Sequence, residues 1–287
     1  SSTNLSDSIS LSSTGIAGDQ FYTSPLLIKP DSPGVIFYNN LNDEIQHTYT
    51  STDLKENWGV TGTKDLIDPV EIVTDPELGG THNNSMRISY AADIVGLHDS
   101  SGAQWTKKLP GYDELYVAYD VFFEDDAEFV KGGKLPRLQS TSWESNAGVP
   151  ADGTDRWTAG LMWKQGGKLA SYVYHADQSN GYGDIRYWDD GVDGQIYFQP
   201  GQWHTIEVRA VLNTPGVLDG RMQGWFDGKL AFDTNEFMWR MPGGEHLDIG
   251  EFMFVTFYGG GDSSWAPSTD QHIYFDNFVI STHPITH

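Results

Sequence analysis

Apolar and polar positions alternate with a period of two in many short stretches of this chain, the signature of strands. Val35–Tyr38 and Ser85–Tyr90 are the first such stretches, and Leu115–Phe123 is the strongest, with aromatics on both faces. Trp157–Lys164 and Leu169–His175 follow, joined by Gln165-Gly166-Gly167, which reads as a hairpin turn. Ile196–Phe198 leads through Pro200-Gly201 into the long run Trp203–Leu212. Arg221–Phe226 and Lys229–Phe232 flank Asp227-Gly228, a second hairpin signal, and Glu251–Tyr258 and His272–Ile280 complete the set. No segment longer than about ten residues carries a helical period. The pattern predicts an all-β protein, a sandwich or β-jelly roll: two antiparallel sheets packed in a concanavalin-like way, one of which offers a concave groove. With no internal repeat and no strong linker, residues 1–30 read as an irregular segment and 31–287 as a single domain.

Composition sharpens this picture. Among 287 residues there are 32 Gly, 14 Tyr, 14 Phe and 10 Trp, which favours strands and turns. There is no cysteine, so disulfides, thiol catalysis and thiolate metal sites are excluded. No apolar stretch reaches the ~18 residues a membrane helix needs. The Ser/Thr-rich opening, Ser1–Ser13, lacks an apolar signal core and reads as a mature N-terminus or linker. A net charge of −23 argues against nucleic-acid partners and suits a secreted, extracellular, monomeric protein without membrane contact.

Against that charge, Lys131-Gly-Gly-Lys-Leu-Pro-Arg137 places three of the seventeen basic residues in seven positions. The two glycines and Pro136 predict a stiff, concave loop presenting Lys131, Lys134 and Arg137, which is what an acidic body needs to grip a polyanion. Tyr172 and Tyr174 share one face of their strand, and the hairpin sets them beside Thr158 and Gly160. A Tyr-x-Tyr alone is more often a packed pleated surface. Lysines, a tyrosine pair and polar neighbours together suit β-elimination of a uronic acid polymer. A cation near the carboxylate stabilises the enolate-like charge formed when the C5 proton leaves. A Tyr or Lys takes that proton, a Tyr protonates the leaving O4, and no metal or organic cofactor is required.

The order Lys-Gly-Gly-Lys-Leu-Pro, Met162-Trp-Lys164 and Tyr-x-Tyr resembles polysaccharide lyase families fourteen and twenty, the alginate and glucuronan lyases with a β-jelly-roll fold. Phe257-Tyr-Gly-Gly-Gly-Asp-Ser-Ser-Trp-Ala-Pro267 and Ile273-Tyr-Phe-Asp-Asn-Phe278 are similar to their C-terminal strands, so the resemblance spans roughly 110–281. It implies that Lys134 is the essential lysine and that Tyr172 and Tyr174 are the tyrosine pair, acting as base and acid. Lys134 would hold or polarise the carboxylate, and Lys131, Arg137 and Thr158 would position the chain. The family pattern Ser-x-Arg falls on Thr158 and Gly160, so the arginine that helps neutralise the substrate carboxylate is missing; Arg137, Arg156 and Lys164 are its candidate replacements. The expected partner is an anionic polysaccharide.

Three further features enter as expectations. Asp276, in a terminal strand that resembles the calcium-binding edge of many jelly rolls, would join Asp43 and Glu44 of the polar loop 39–44 in a structural calcium site, although a solvated acidic loop explains those residues equally well. His82, after Gly79-Gly80, would line the groove as a further acid or base, against the ordinary reading of a satisfied surface histidine. Asp248 and Glu251 are three apart and face opposite sides of a regular strand, which disfavours a glycoside hydrolase. The alternative outside catalysis is a carbohydrate-binding module or lectin on the same fold.

Overall fold

The structure, a computed structural model, describes residues 24–60, 70–76, 84–141 and 148–287. The described residues form fifteen strands, ten of them at the alternating stretches named above. In chain order they are β1 Val35–Asn39, β2 His47–Thr48, β3 Val70–Thr74, β4 Asn84–Tyr90, β5 Ala103–Lys108, β6 Glu114–Phe123, β7 Gly132–Ser140 and β8 Thr158–Lys164. β9 Lys168–Tyr174, β10 Asp184–Tyr187, β11 Trp203–Val211, β12 Gly220–Phe226, β13 Lys229–Phe237, β14 Ile249–Tyr258 and β15 Gln271–Ser281 follow. One sheet has nine strands in the order β13-β12-β11-β6-β15-β4-β3-β2, with β1 also paired to β15. The other has six in the order β10-β9-β8-β7-β14-β5. Sheet neighbours pair antiparallel throughout, and the two sheets form the expected sandwich.

Their inner faces share one core. Val117, Tyr119, Val121 and Phe275 of the nine-stranded sheet pack with Leu135, Leu138, Leu161, Trp163 and Phe254 of the other. A short helical strap, residues 51–58, closes one part of it. Thr50 and Asp53 form a capping box at its start, and Gly59, in the left-handed region, ends it. The strap delivers Trp58, fully buried, into an aromatic cluster: ring centres lie 4.8 Å from Phe278, 5.0 Å from Phe37 and 5.4 Å from Trp105. Trp105 in turn stacks on Phe254 at 4.0 Å.

Most expected strands form, and both hairpins turn where Gln165-Gly166-Gly167 and Asp227-Gly228 stand. Asp227 and Gly228 both have positive φ, 50° and 77°, as a two-residue hairpin turn requires. Two expectations fail. Residues 196–198 form no strand, only a bridge from Tyr197 to Lys168. Residues 131–137 are not a loop: Gly132–Ser140 is a central strand of the six-stranded sheet, paired on both sides. The glycines there serve close packing, since a Cβ at Gly133 would lie 2.0 Å from the Trp163 ring. Pro136, which has no N–H to give a ladder, sits where the register of β7 shifts between Leu135 and Leu138.

Trp58→Ala empties the centre of the aromatic cluster and is expected to cost about 3–5 kcal/mol of stability. A denaturant titration checks this; a loss below about 1 kcal/mol would show that the strap does not anchor the core.

Candidate active site

On a regular strand Lys134 and Arg137, three residues apart, face opposite sides. The bulge at Pro136 adds one residue, so Leu135 and Leu138 point into the core while Lys134, Arg137 and Gln139 share the outer face. The β8–β9 hairpin supplies the rest of that face. Lys134 stands opposite Met162, Gly160 opposite Tyr172, and Thr158 opposite both Gln139 and Tyr174.

The Lys134 ammonium lies 3.2 Å from the Met162 sulfur and 3.5 Å from the centre of the Tyr172 ring. Its neighbourhood holds two more cations, Arg137 and Lys164. Burial first, and those charges second, pull its pKa well below the ordinary lysine value. Tyr172 and Tyr174 meet at their hydroxyls, 3.3 Å apart, with rings edge to face. Burial, and then the hydrogen bond shared with Tyr174, push Tyr172 up from its ordinary value, so it keeps its proton. Arg156 stands 6.0 Å over the Tyr174 ring; it pairs with Asp155 and donates to the Val149 carbonyl.

Gly160, where the family pattern has an arginine, lies beside the side chain of Arg137. A Cβ there would lie 2.4 Å from the Tyr172 carbonyl oxygen and 3.6 Å from Cδ of Arg137. The stem of Arg137 therefore passes over the glycine, and its guanidinium comes under the influence of both tyrosines. Its Nε donates to the Gln139 side-chain oxygen at 3.0 Å, and Gln139 gives its amide hydrogens to buried Glu251 at 2.5 Å. Lys108 closes the chain with a short ion pair to Glu251. With one end of Gln139 committed to a carboxylate, the other presents an acceptor, which fixes the fork of Arg137. Burial lowers the guanidinium to about 10, and it remains charged at neutral pH.

The remaining expected residues fall in different places. Thr158 is fully buried and accepts the Tyr174 N–H at 3.4 Å, so it braces the tyrosine strand. Lys131 is exposed at the end of β7, hydrogen-bonded to Ser264. His82 lies outside the described residues. Asp276 is buried opposite Asp120, with Asp75 also acting on it, whereas the charges around Glu44 are Asp43, Asp53 and His47. The three residues expected to hold calcium are not drawn into one cluster, and no group of three or more His, Asp or Glu is arranged for a metal ion among the described residues. His175 faces away from Tyr174, as its position implies; its two ring nitrogens meet Asp177 at 2.6 Å and Asp184 at 2.8 Å, bracing the loop that sets Gly183 against both tyrosine rings.

Sequence reasoning missed Gln139, the support that Glu251 gives it, and any role for Met162. Met162 was legible from the hairpin register; the partnership of Gln139 with Glu251 was not, because the bulges that align them leave no pattern of their own.

The family model for polysaccharide lyase 14 matches residues 79–278. The chain belongs to this family. It is therefore a polysaccharide lyase, and membership favours elimination chemistry over a non-catalytic lectin. Among solved structures, the alginate lyase Aly36B shares the fold at a TM-score of 0.72 and 22% identity, covering 88% of this chain and 99% of that one. The marine alginate lyase from Aplysia kurodai gives 0.68 and 24%, over 87% and 99% of the two chains. The endo-β-1,4-glucuronan lyase from the fungus Trichoderma reesei is more distant, at 0.50 and 15%, over 87% and 96%. No relative is found among the curated proteins.

Arg137→Lys keeps the charge but loses the fork. It is expected to lower kcat/KM of the lyase by about 100-fold, and Gln139→Leu, which frees the fork, to act in the same direction. Steady-state kinetics check this; an effect below about twofold in both variants would take Arg137 out of the chemistry.

Proposed function

We propose that this lyase cleaves alginate by β-elimination, with Lys134 as base, Tyr172 as acid and Arg137 as the group that neutralises the uronate carboxylate. One observation carries the reading: a desolvated lysine, a proton-retaining tyrosine and an oriented guanidinium meet on one small face. Groups whose environments push their proton affinities in opposite directions are suited to opposite roles. The neutral Lys134 amine removes the C5 proton of the uronate. The electron pair forms the C4–C5 double bond as the C4–O4 bond breaks, and Tyr172 gives its proton to O4. During the step charge spreads onto the carboxylate, where the Arg137 fork meets it. Tyr174, hydroxyl to hydroxyl with Tyr172, offers a route for returning a proton. This sequence of steps uses protein side chains alone.

Alginate is favoured over glucuronan by the likeness to alginate lyases. The alginate-bound Aly36B structures are of variants in which a lysine and a methionine, or a lysine and a tyrosine, are replaced by alanine. The same residue types meet here in Lys134, Met162 and the tyrosine pair. A polymer of this kind is met outside the cell, and the reading carries a secreted location with it.

Ultraviolet absorbance follows the new double bond. With native protein it is expected to rise on alginate and far less on glucuronan. Lys134→Arg, which keeps a charge but cannot give up a proton at neutral pH, is expected to lose more than about 1000-fold in kcat. A rise on glucuronan alone would change the substrate. A Lys134→Arg variant within about tenfold of native would assign Lys134 a purely electrostatic part.

A further inference from the structure

A second cluster of lysines lies at the end of the same sheet. Lys131 precedes β7, Lys164 ends β8 and Lys168 opens β9, and the registers Gly132–Lys164 and Lys164–Lys168 bring these strand ends side by side. With Gln165, Tyr187 and Trp265 they line a cavity of about 470 Å³. The indole comes from the short turn Ser263–Trp265, which Asp262 caps through the Ser264 N–H at 2.9 Å. Gly260 lets that loop fold tightly, because a Cβ there would lie 2.1 Å from the Trp265 ring.

The charges are placed on aromatic faces. The Lys164 ammonium lies 4.7 Å from the Trp265 ring centre and that of Lys131 lies 6.0 Å from it. The Lys168 ammonium lies 5.7 Å from the ring of Tyr187, which is 49% exposed. The chain has 40 acidic residues and 17 basic ones, yet among the described residues none of these three lysines forms an ion pair with a carboxylate. Burial pulls Lys164 below the ordinary lysine value. Three cations converging on one hollow repel each other, and an anion entering it is drawn by all three. Flat rings beside cations suit a sugar acid: the carboxylate meets the ammonium groups and the apolar face of the pyranose lies on the ring.

The distance to the reacting groups fits a neighbouring sugar. Lys164 is two positions beyond Met162 on β8, a rise of about 6.6 Å, on the face that carries Lys134. Lys164 is also among the charges that act on Lys134. We propose that this cavity is a distal subsite that binds a uronate one or two sugars from the scissile bond, and that it sets the lyase's preference for longer chains. The identity of the ligand rests on the uronate-lyase reading.

Lys168→Ala and Trp265→Ala are the variants of choice, because the charge of Lys164 also bears on Lys134. Each is expected to raise KM about tenfold on alginate hexasaccharide and polymer, to leave kcat within about twofold, and to leave KM on the shortest cleaved oligosaccharide unchanged. Calorimetric titration of alginate hexasaccharide into Lys134→Arg, with and without Trp265→Ala, reads binding without turnover, and about tenfold weaker binding in the double variant is expected. Unchanged KM and unchanged hexasaccharide affinity would overturn the subsite, and so would an equal loss on short and long substrates. If native protein cleaves no alginate, the alginate reading fails by itself; binding of the hexasaccharide that weakens with Trp265→Ala would still support the subsite, and binding that does not would overturn it.

Discussion

The register shift at Pro136 is the constraint on which the site depends. Without it, Lys134 and Arg137 occupy opposite faces of β7, one in the core and one outside. With it, two cations stand together on the outer face while Leu135 and Leu138 keep the core side. Like charges that act on each other are unfavourable, and burial makes them more so. The fold holds them because β7 is fixed on both sides, by β14 and β8, and because Glu251 supports Arg137 through Gln139. The result is a lysine whose hold on its proton is well below the ordinary one, beside an arginine that stays charged at neutral pH.

Gly160 belongs to the same design. A side chain at that position would collide with the Tyr172 carbonyl, so in this chain the guanidinium comes across from β7. In the proposed mechanism the charge that the family pattern places at this position comes from the adjacent strand, and the carboxylate that steadies it is the one whose spacing from Asp248 argued against a hydrolase. The acid-rich body helps in another way. With a net charge of −23, the outer face of the six-stranded sheet is a local exception, and a polyanion held there meets repulsion everywhere else.

Much of this was legible in the sequence. Period-two alternation and glycine turns mark ten of the fifteen strands described, and the β8–β9 hairpin, with Gln165-Gly166-Gly167 at its end, fixes the faces of Tyr172, Thr158 and Gly160. The motif Lys-Gly-Gly-Lys-Leu-Pro points to the correct lysine but suggests a loop. Two glycines and a proline ordinarily break a strand, and here they serve a close-packed one with a bulge. The partnership of Gln139 with Glu251 was invisible because it depends on register shifts in β7 and β14, which are set by tertiary packing. The acidic residues Asp276, Asp43 and Glu44 show the opposite case: residue types that suit a cation, distributed among different neighbours by the fold.

The central claim is that Lys134 acts as a neutral amine. The pH dependence of kcat/KM on alginate tests it most directly, since it reports the free enzyme's essential base. A base with a lowered pKa is in its active form at lower pH than an ordinary lysine. The account predicts that kcat/KM climbs with pH and levels off well below 10.5, the ordinary lysine value, with no decline from Tyr172, which burial pushes above 10.0. A profile that instead falls as pH rises through the same range would show that the reaction needs the charged ammonium, and would contradict the account.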